Sequence, residues 1–153
     1  MSELVAAARR HVGLRFRHRG RKTEGPGKGV DCAGLVVCAY RDCGVELKDF
    51  ELYEAEPAQH GPGLTERVRE AMGPEVAVGP VSLDQLQLGD VLVIRFVREP
   101  HHVAIVGDYY KPGHFSIIHA DAFPHDAIRG RVIEQRLAPA TLALVTHVFR
   151  RPV

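Results

Sequence analysis

The clearest pattern in the chain lies just after residue 31. Leu35, Val36, Ala39, Tyr40 and Cys43 are spaced as the buried face of a helix, and the stripe stops at Gly44. Asp31 is a strong N-cap residue, so Cys32 is predicted to be the first helical position. Upstream, Leu4, Ala7, Ala8 and Val12 keep the same period behind Ser2 as a cap and end at Gly13. Residues 17–30 are Gly-rich and charged and predict a loop. Residues 64–72 predict a short helix between Gly61-Pro62-Gly63 and Gly73-Pro74. Beyond them the period changes to two. The stretches 91–97, 101–110, 115–120, 131–137 and 142–149 are short, β-branched and divided by turn residues. Sequential strands with short connections imply an antiparallel sheet, and helices followed by strands imply an α+β fold. Residues 1–153 make one domain, without repeats or low-complexity tracts.

Charge, cysteine content and hydropathy narrow the picture. The net charge is +1, yet residues 1–30 carry eight Lys/Arg against Glu3 and Glu24. Such a segment suits an anionic polymer or a solvated surface. With no aromatic stacking platform or nucleic-acid motif beside it, nucleic acid is not expected as a partner. GPGKGV lacks the upstream Gly and the following Ser/Thr of a phosphate-binding loop. Cys32, Cys38 and Cys43 fall on one helix at spacings that suit neither a disulfide nor a zinc site, so free thiols and no metal or cofactor are expected. No apolar run reaches the roughly 18 residues of a membrane span, and no signal peptide is recognised at the N-terminus. The expectation is synthesis in the cytoplasm without membrane insertion.

The candidate chemistry centres on Cys32. A thiol at a helix N-terminus feels the positive end of the dipole, which favours the thiolate. A small buried cysteine is the competing reading, and the helix alone does not choose between them. A thiolate nucleophile wants a His as base, and that His wants a partner to hold its ring. Of nine histidines, His11, His18 and His60 read as solvated, His114 flanks a turn, and His125 and His147 have no evident partner. His101, His102 and His119 lie on adjacent strands of one predicted hairpin. Alternation allows only one of His101 and His102 to face the helix. The register that would bring either to His119 is not readable.

Taken in order, ARRHVGLRFRHRG, DCAGLV, LGDVLVIRF, HHVAIVGD and IIHA resemble the NlpC/P60 family of papain-like cysteine peptidases over about residues 5–120. The resemblance implies a helix bearing the nucleophile Cys32, packed on an antiparallel sheet that carries the base His102 and an orienting His119. It implies hydrolysis of amide bonds in peptidoglycan stem peptides, with Asp31, Phe16 and Ala33 in the substrate and oxyanion neighbourhood. The chain is also similar to the peptidases of phage tail tips and gene-transfer particles. This implies phage tail proteins as partners and delivery to the cell wall in a virion. The family usually has Tyr where Phe16 stands and commonly Ser where Ala33 stands, and the DYYKPGH hairpin is longer than usual. Tyr109 and Tyr110 are candidates to line a substrate groove. Two other readings compete: a structural tail-tip module that has lost activity, and an intracellular peptidase that recycles wall peptides. An acyltransferase fits less well, because such relatives usually place His before Cys.

Overall fold

Ser2 and Asp31 each close a helix by accepting a backbone N–H of the first turn. In the computed structural model, which describes residues 2–50, 63–96, 102–122 and 130–153, the Ser2 hydroxyl accepts from Val5 N–H at 3.5 Å. Helix α1 follows over Glu3–Arg9. Asp31 Oδ1 accepts from Gly34 N–H at 2.7 Å, and α2 runs Cys32–Asp42. Gly44 adopts a positive φ just past its end, the left-handed backbone that favours glycine at a helix C-terminus. Helix α3 is Gly63–Met72, and α4 is a single turn, Pro139–Leu142.

The strands are β1 (Arg21–Lys22), β2 (Gly29–Val30), β3 (Ala77–Val78), β4 (Val91–Ile94), β5 (His102–Asp108), β6 (Phe115–Asp121), β7 (Arg131–Arg136) and β8 (Val145–Phe149). β1 and β2 form a hairpin inside the segment expected to be loop. The other six make an antiparallel sheet in the order β3-β8-β4-β5-β6-β7. The predicted 142–149 strand loses its first residues to α4 and the turn after it. There Pro139 sits at the start of a helix, where its missing N–H costs nothing. Val97 and His101, at strand ends in the sequence reading, lie outside the described residues, as do His60 and His125.

Period-two alternation sorts the strand residues between two cores. Val91, Val93, Val103, Ile105, Ile118, Ala120, Val132 and Phe149 pack against α1, α2 and α3. Leu92, Ile94, Ala104, Val106, Ile117, Val145 and Val148 form a second apolar layer on the other face. Each such Val, Leu, Ile or Phe side chain, fully buried, contributes about 1.5–3 kcal/mol. Polar anchors fix the helices and turns to this frame. Arg9 spans Glu134 (Nε–Oε1 2.9 Å, Nη2–Oε2 2.7 Å) and Asp108 (2.8 Å), and the Ser116 hydroxyl donates to the same Glu134 at 2.6 Å. A Cβ at Gly107 would stand 2.6 Å from that hydroxyl. Arg150 grips the fully buried Asp90 through two bonds of 2.7 and 2.8 Å, which explains the aspartate of LGDVLV.

The β5–β6 ladder runs from Asp108↔Phe115 only as far as Ile105↔Ile118. Past it, His102–Ala104 stay paired to β4, and His119–Asp121 stay paired to β7. The two strands therefore part at one end of the hairpin, each held by its outer neighbour.

Candidate active site

Two of the residues singled out in the sequence meet at that parting, and the third, Cys32, reaches the backbone next to one of them. His102 Nε2 and His119 Nδ1 are hydrogen-bonded at 2.8 Å, with the rings edge to face and their centroids 5.0 Å apart. Cys32, the first residue of α2, brings its sulfur against the backbone N–H groups of Val103 and Ala33, both of which favour the thiolate. Val103 directly follows His102. His102 is paired with Ile94, and both sit on the sheet face turned away from α2, while Val103 faces the helix. Alternation therefore does not aim His102 at the helix. What ties the thiol to this end of β5 is the backbone N–H of Val103, the residue after His102.

The thiol also departs from the expected low pKa. Cys32 is only 3% exposed, and burial pushes its pKa up from 9.0 to about 12, with the Asp31 charge adding to the rise and Val103 N–H, Ala33 N–H and Arg21 opposing it. The expected dipole effect is worth at most about 2 kcal/mol, or about 1.5 in pKa. Full burial can move a pKa by about 3–5. Burial outweighs the dipole, and the balance favours the thiol over the thiolate. His119 is also buried. Burial lowers its pKa below the usual value, against smaller raising influences from Asp121 and Gln135, so the ring is neutral at pH 7.

Asp31 is fully buried and serves the frame of the site rather than its surface. Its Oδ1 accepts from Gly34 N–H and from Arg21 Nη1, both at 2.7 Å, and its Oδ2 accepts from Arg19 N–H at 3.1 Å. Arg21 in turn holds Asp49 through bonds of 2.9 and 3.0 Å. Burial depresses the Arg21 pKa most strongly of any single influence, yet Asp49 and Asp31 together outweigh it and raise the value. The basic segment is thus partly internal wiring, and the reading of it as a solvated loop does not hold for Arg21 or Arg9. Its backbone lies so close to α2 that a Cβ on Gly34 would strike the Gly20 carbonyl oxygen, and one on Gly20 would strike that of Gly29. Those glycines were the available signal for this packing.

Phe16 donates its N–H to Gly130 O at 2.7 Å and bridges to Val30, with its half-buried ring against the core. It therefore lies at the entry to α2. Ala33 is fully buried on α2. A residue passed over in the sequence is Phe96, 44% exposed, with its ring centroid 5.3 Å from that of His102. Tyr109 and Tyr110 do not reach the site. They occupy the turn just past Asp108, the far end of β5, which lies six residues or roughly 20 Å from His102. His11 is not simply solvated, since its Nε2 meets Asp42 Oδ2 at 2.6 Å, and His147 contacts the Thr146 hydroxyl at 3.0 Å and stacks on Phe149. Cys32, Cys38 and Cys43 are free thiols, as expected. Among the described residues no cluster of His, Cys, Asp or Glu could hold a metal ion, and no helix is long and apolar enough to cross a membrane.

The sequence profile of the NlpC/P60 family matches residues 13–138. The chain belongs to the NlpC/P60 family. Among solved structures it is similar to an NlpC/P60 family protein from Bacillus cereus (21% identity, TM-score 0.61), covering 99% of this chain and 40% of that one. It is similar to the peptidoglycan hydrolase RipB from Mycobacterium tuberculosis (19% identity, TM-score 0.60), covering 99% of this chain and 64% of that one. It also resembles the P60 domain of an antigen from M. avium subspecies paratuberculosis (17% identity, TM-score 0.55), with 97% and 91% covered. No curated protein matches. This NlpC/P60 chain thus spans two fifths of the B. cereus protein's length and under two thirds of RipB's. At these identities the likeness establishes the fold, a mixed one with helices on an antiparallel sheet as the sequence implied.

Proposed function

We propose that this NlpC/P60 chain is a cysteine peptidase that hydrolyses amide bonds in peptidoglycan stem peptides, with Cys32 as nucleophile, His102 as base and His119 orienting it. The observation that carries the reading is the 2.8 Å His102–His119 hydrogen bond at the parted end of β5 and β6, where the Cys32 sulfur meets Val103. Since His119 engages Nε2 of His102, proton exchange falls to Nδ1. The thiol gives its proton to Nδ1 as the sulfur attacks the substrate carbonyl, and Nδ1 passes that proton to the leaving amine. Water then releases the acyl group. The Cys32 backbone N–H, at the first turn of α2, suits the developing oxyanion. RipB, a peptidoglycan hydrolase by name, supports the substrate class.

The setting we propose is a phage tail tip or gene-transfer particle, with the enzyme made in the cytoplasm and carried to the wall. Support for this is the sequence resemblance, and co-purification with tail particles tests it. The enclosure of Cys32 favours one competing reading, a structural module without turnover. Kinetics on a stem-peptide substrate separate the two. Cys32→Ala and His102→Ala should each lose at least about a hundredfold in kcat/KM with the fold retained, while His119→Asn or His119→Gln keeps part of the activity. Unchanged turnover in Cys32→Ala refutes the peptidase reading. Labelling of Cys32 by a peptide-like electrophile only after unfolding would favour the structural module.

A further inference from the structure

His119 Nε2 is fully enclosed, and among the described residues no hydrogen bond of regular geometry reaches it. That atom decides the protonation of the whole pair. A neutral imidazole carries one proton, so one ring nitrogen donates and the other accepts. For His102 to take a proton at Nδ1, its own proton must lie on Nε2 and be donated to His119 Nδ1. His119 must then carry its proton on Nε2, inside the protein, where an unpaired N–H costs about 1–3 kcal/mol. The opposite tautomers would leave His102 with Nδ1–H and no lone pair for the thiol proton.

The β6–β7 register identifies the acceptor. His119 pairs with Ile133 and Ile117 with Gln135, so Gln135 stands diagonal to His119 on the same sheet face. Diagonal neighbours lie about 7–8 Å apart, within reach of a long side chain. Gln135 also acts on the His119 ring in the direction an acceptor does. Asp121, two residues along β6, also acts on the ring, but by charge at a distance.

We propose that Gln135 is a positioning residue whose amide oxygen accepts the His119 Nε2 proton, fixing His119 and, through it, His102 in the tautomers that leave His102 Nδ1 able to accept. This rests on the peptidase reading for its consequence in catalysis, but the tautomer itself is observable without turnover. The experiment is imidazole 15N NMR of the full chain at neutral pH, wild type against Gln135→Leu, Gln135→Glu and Asp121→Asn, alongside kcat and KM on a stem peptide. The wild type should show His119 protonated at Nε2. Gln135→Leu should shift His119 towards the Nδ1–H tautomer and lower kcat about tenfold with KM unchanged, and Gln135→Glu, which still accepts, should restore both. A His119 tautomer that is unchanged in Gln135→Leu, or that moves in Asp121→Asn instead, overturns the proposal. If no variant and no wild type turns over substrate, the peptidase reading fails, while the tautomer shift still decides the role of Gln135.

Discussion

Replacing Asp31 by Ala removes one carboxylate that satisfies three donors at once. Gly34 N–H loses its cap, which typically costs about 1 kcal/mol. Arg19 N–H loses its acceptor, and Arg21 loses one of two carboxylates. A buried pair broken from one side costs about 3–5 kcal/mol when the remaining charge is stranded. Here Arg21 keeps Asp49 and is 20% exposed, so that part should fall to about 1–2 kcal/mol. The total is about 2–4 kcal/mol, and at about 2–4 °C per kcal/mol a 3 kcal/mol loss lowers Tm by about 6–12 °C. Asp31→Asn keeps an oxygen for Gly34 N–H and should cost roughly half as much. Arg21→Ala should be the worst of the three, since it strands the fully buried Asp31 charge. Urea unfolding with an unchanged m-value, together with thermal melts, measures all three. An Asp31→Ala protein within about 0.5 kcal/mol of wild type, or an Asp31→Asn protein as unstable as Asp31→Ala, would refute the reasoning.

Three further outcomes follow from the same geometry. The Arg9 hydrogen bonds hold the Glu134 and Asp108 carboxyls below their ordinary 4.5 and 3.8. The unfolded chain therefore binds more protons as pH falls through that range, and this share of stability, present at neutral pH, drains away below about pH 4.5. Melting from about pH 6 to pH 3 should fall more steeply in wild type than in Arg9→Ala, and parallel curves would contradict this. Gly34→Ala should destabilise by several kcal/mol despite the better helix propensity of Ala, because the Gly20 carbonyl occupies the space, and a neutral or stabilised melt would show that the basic segment yields easily. Tyr109→Ala with Tyr110→Ala should leave stem-peptide kcat/KM within about twofold, given roughly 20 Å to His102, and a tenfold loss would place the turn in the substrate path.

Local features were legible in the sequence. The Asp31 cap, the α2 stripe and the cores of five strands followed from period and turn residues alone. What was hidden is non-local. Whether His102 reaches His119 depends on where the β5–β6 ladder stops, and neither strand's sequence marks Ile105↔Ile118 as its end. The place of β8 between β3 and β4 joins segments far apart in the chain. For Cys32 the sequence showed both the helix dipole and the prospect of burial, but not which is larger, and burial is the larger effect on its pKa. The basic segment misled. Arg21 among Gly and Lys looks solvated until folding sets it between Asp31 and Asp49.

The measurement that bears most directly on the account is digestion of purified sacculi, with mass analysis of the released fragments, using wild type, Cys32→Ala and His102→Ala proteins of verified fold. The account predicts that wild type releases stem-peptide fragments with newly formed termini at one amide bond, and that both variants lose at least about a hundredfold of that release. Equal release by Cys32→Ala, or cleavage confined to the glycan with every stem amide intact, would contradict it.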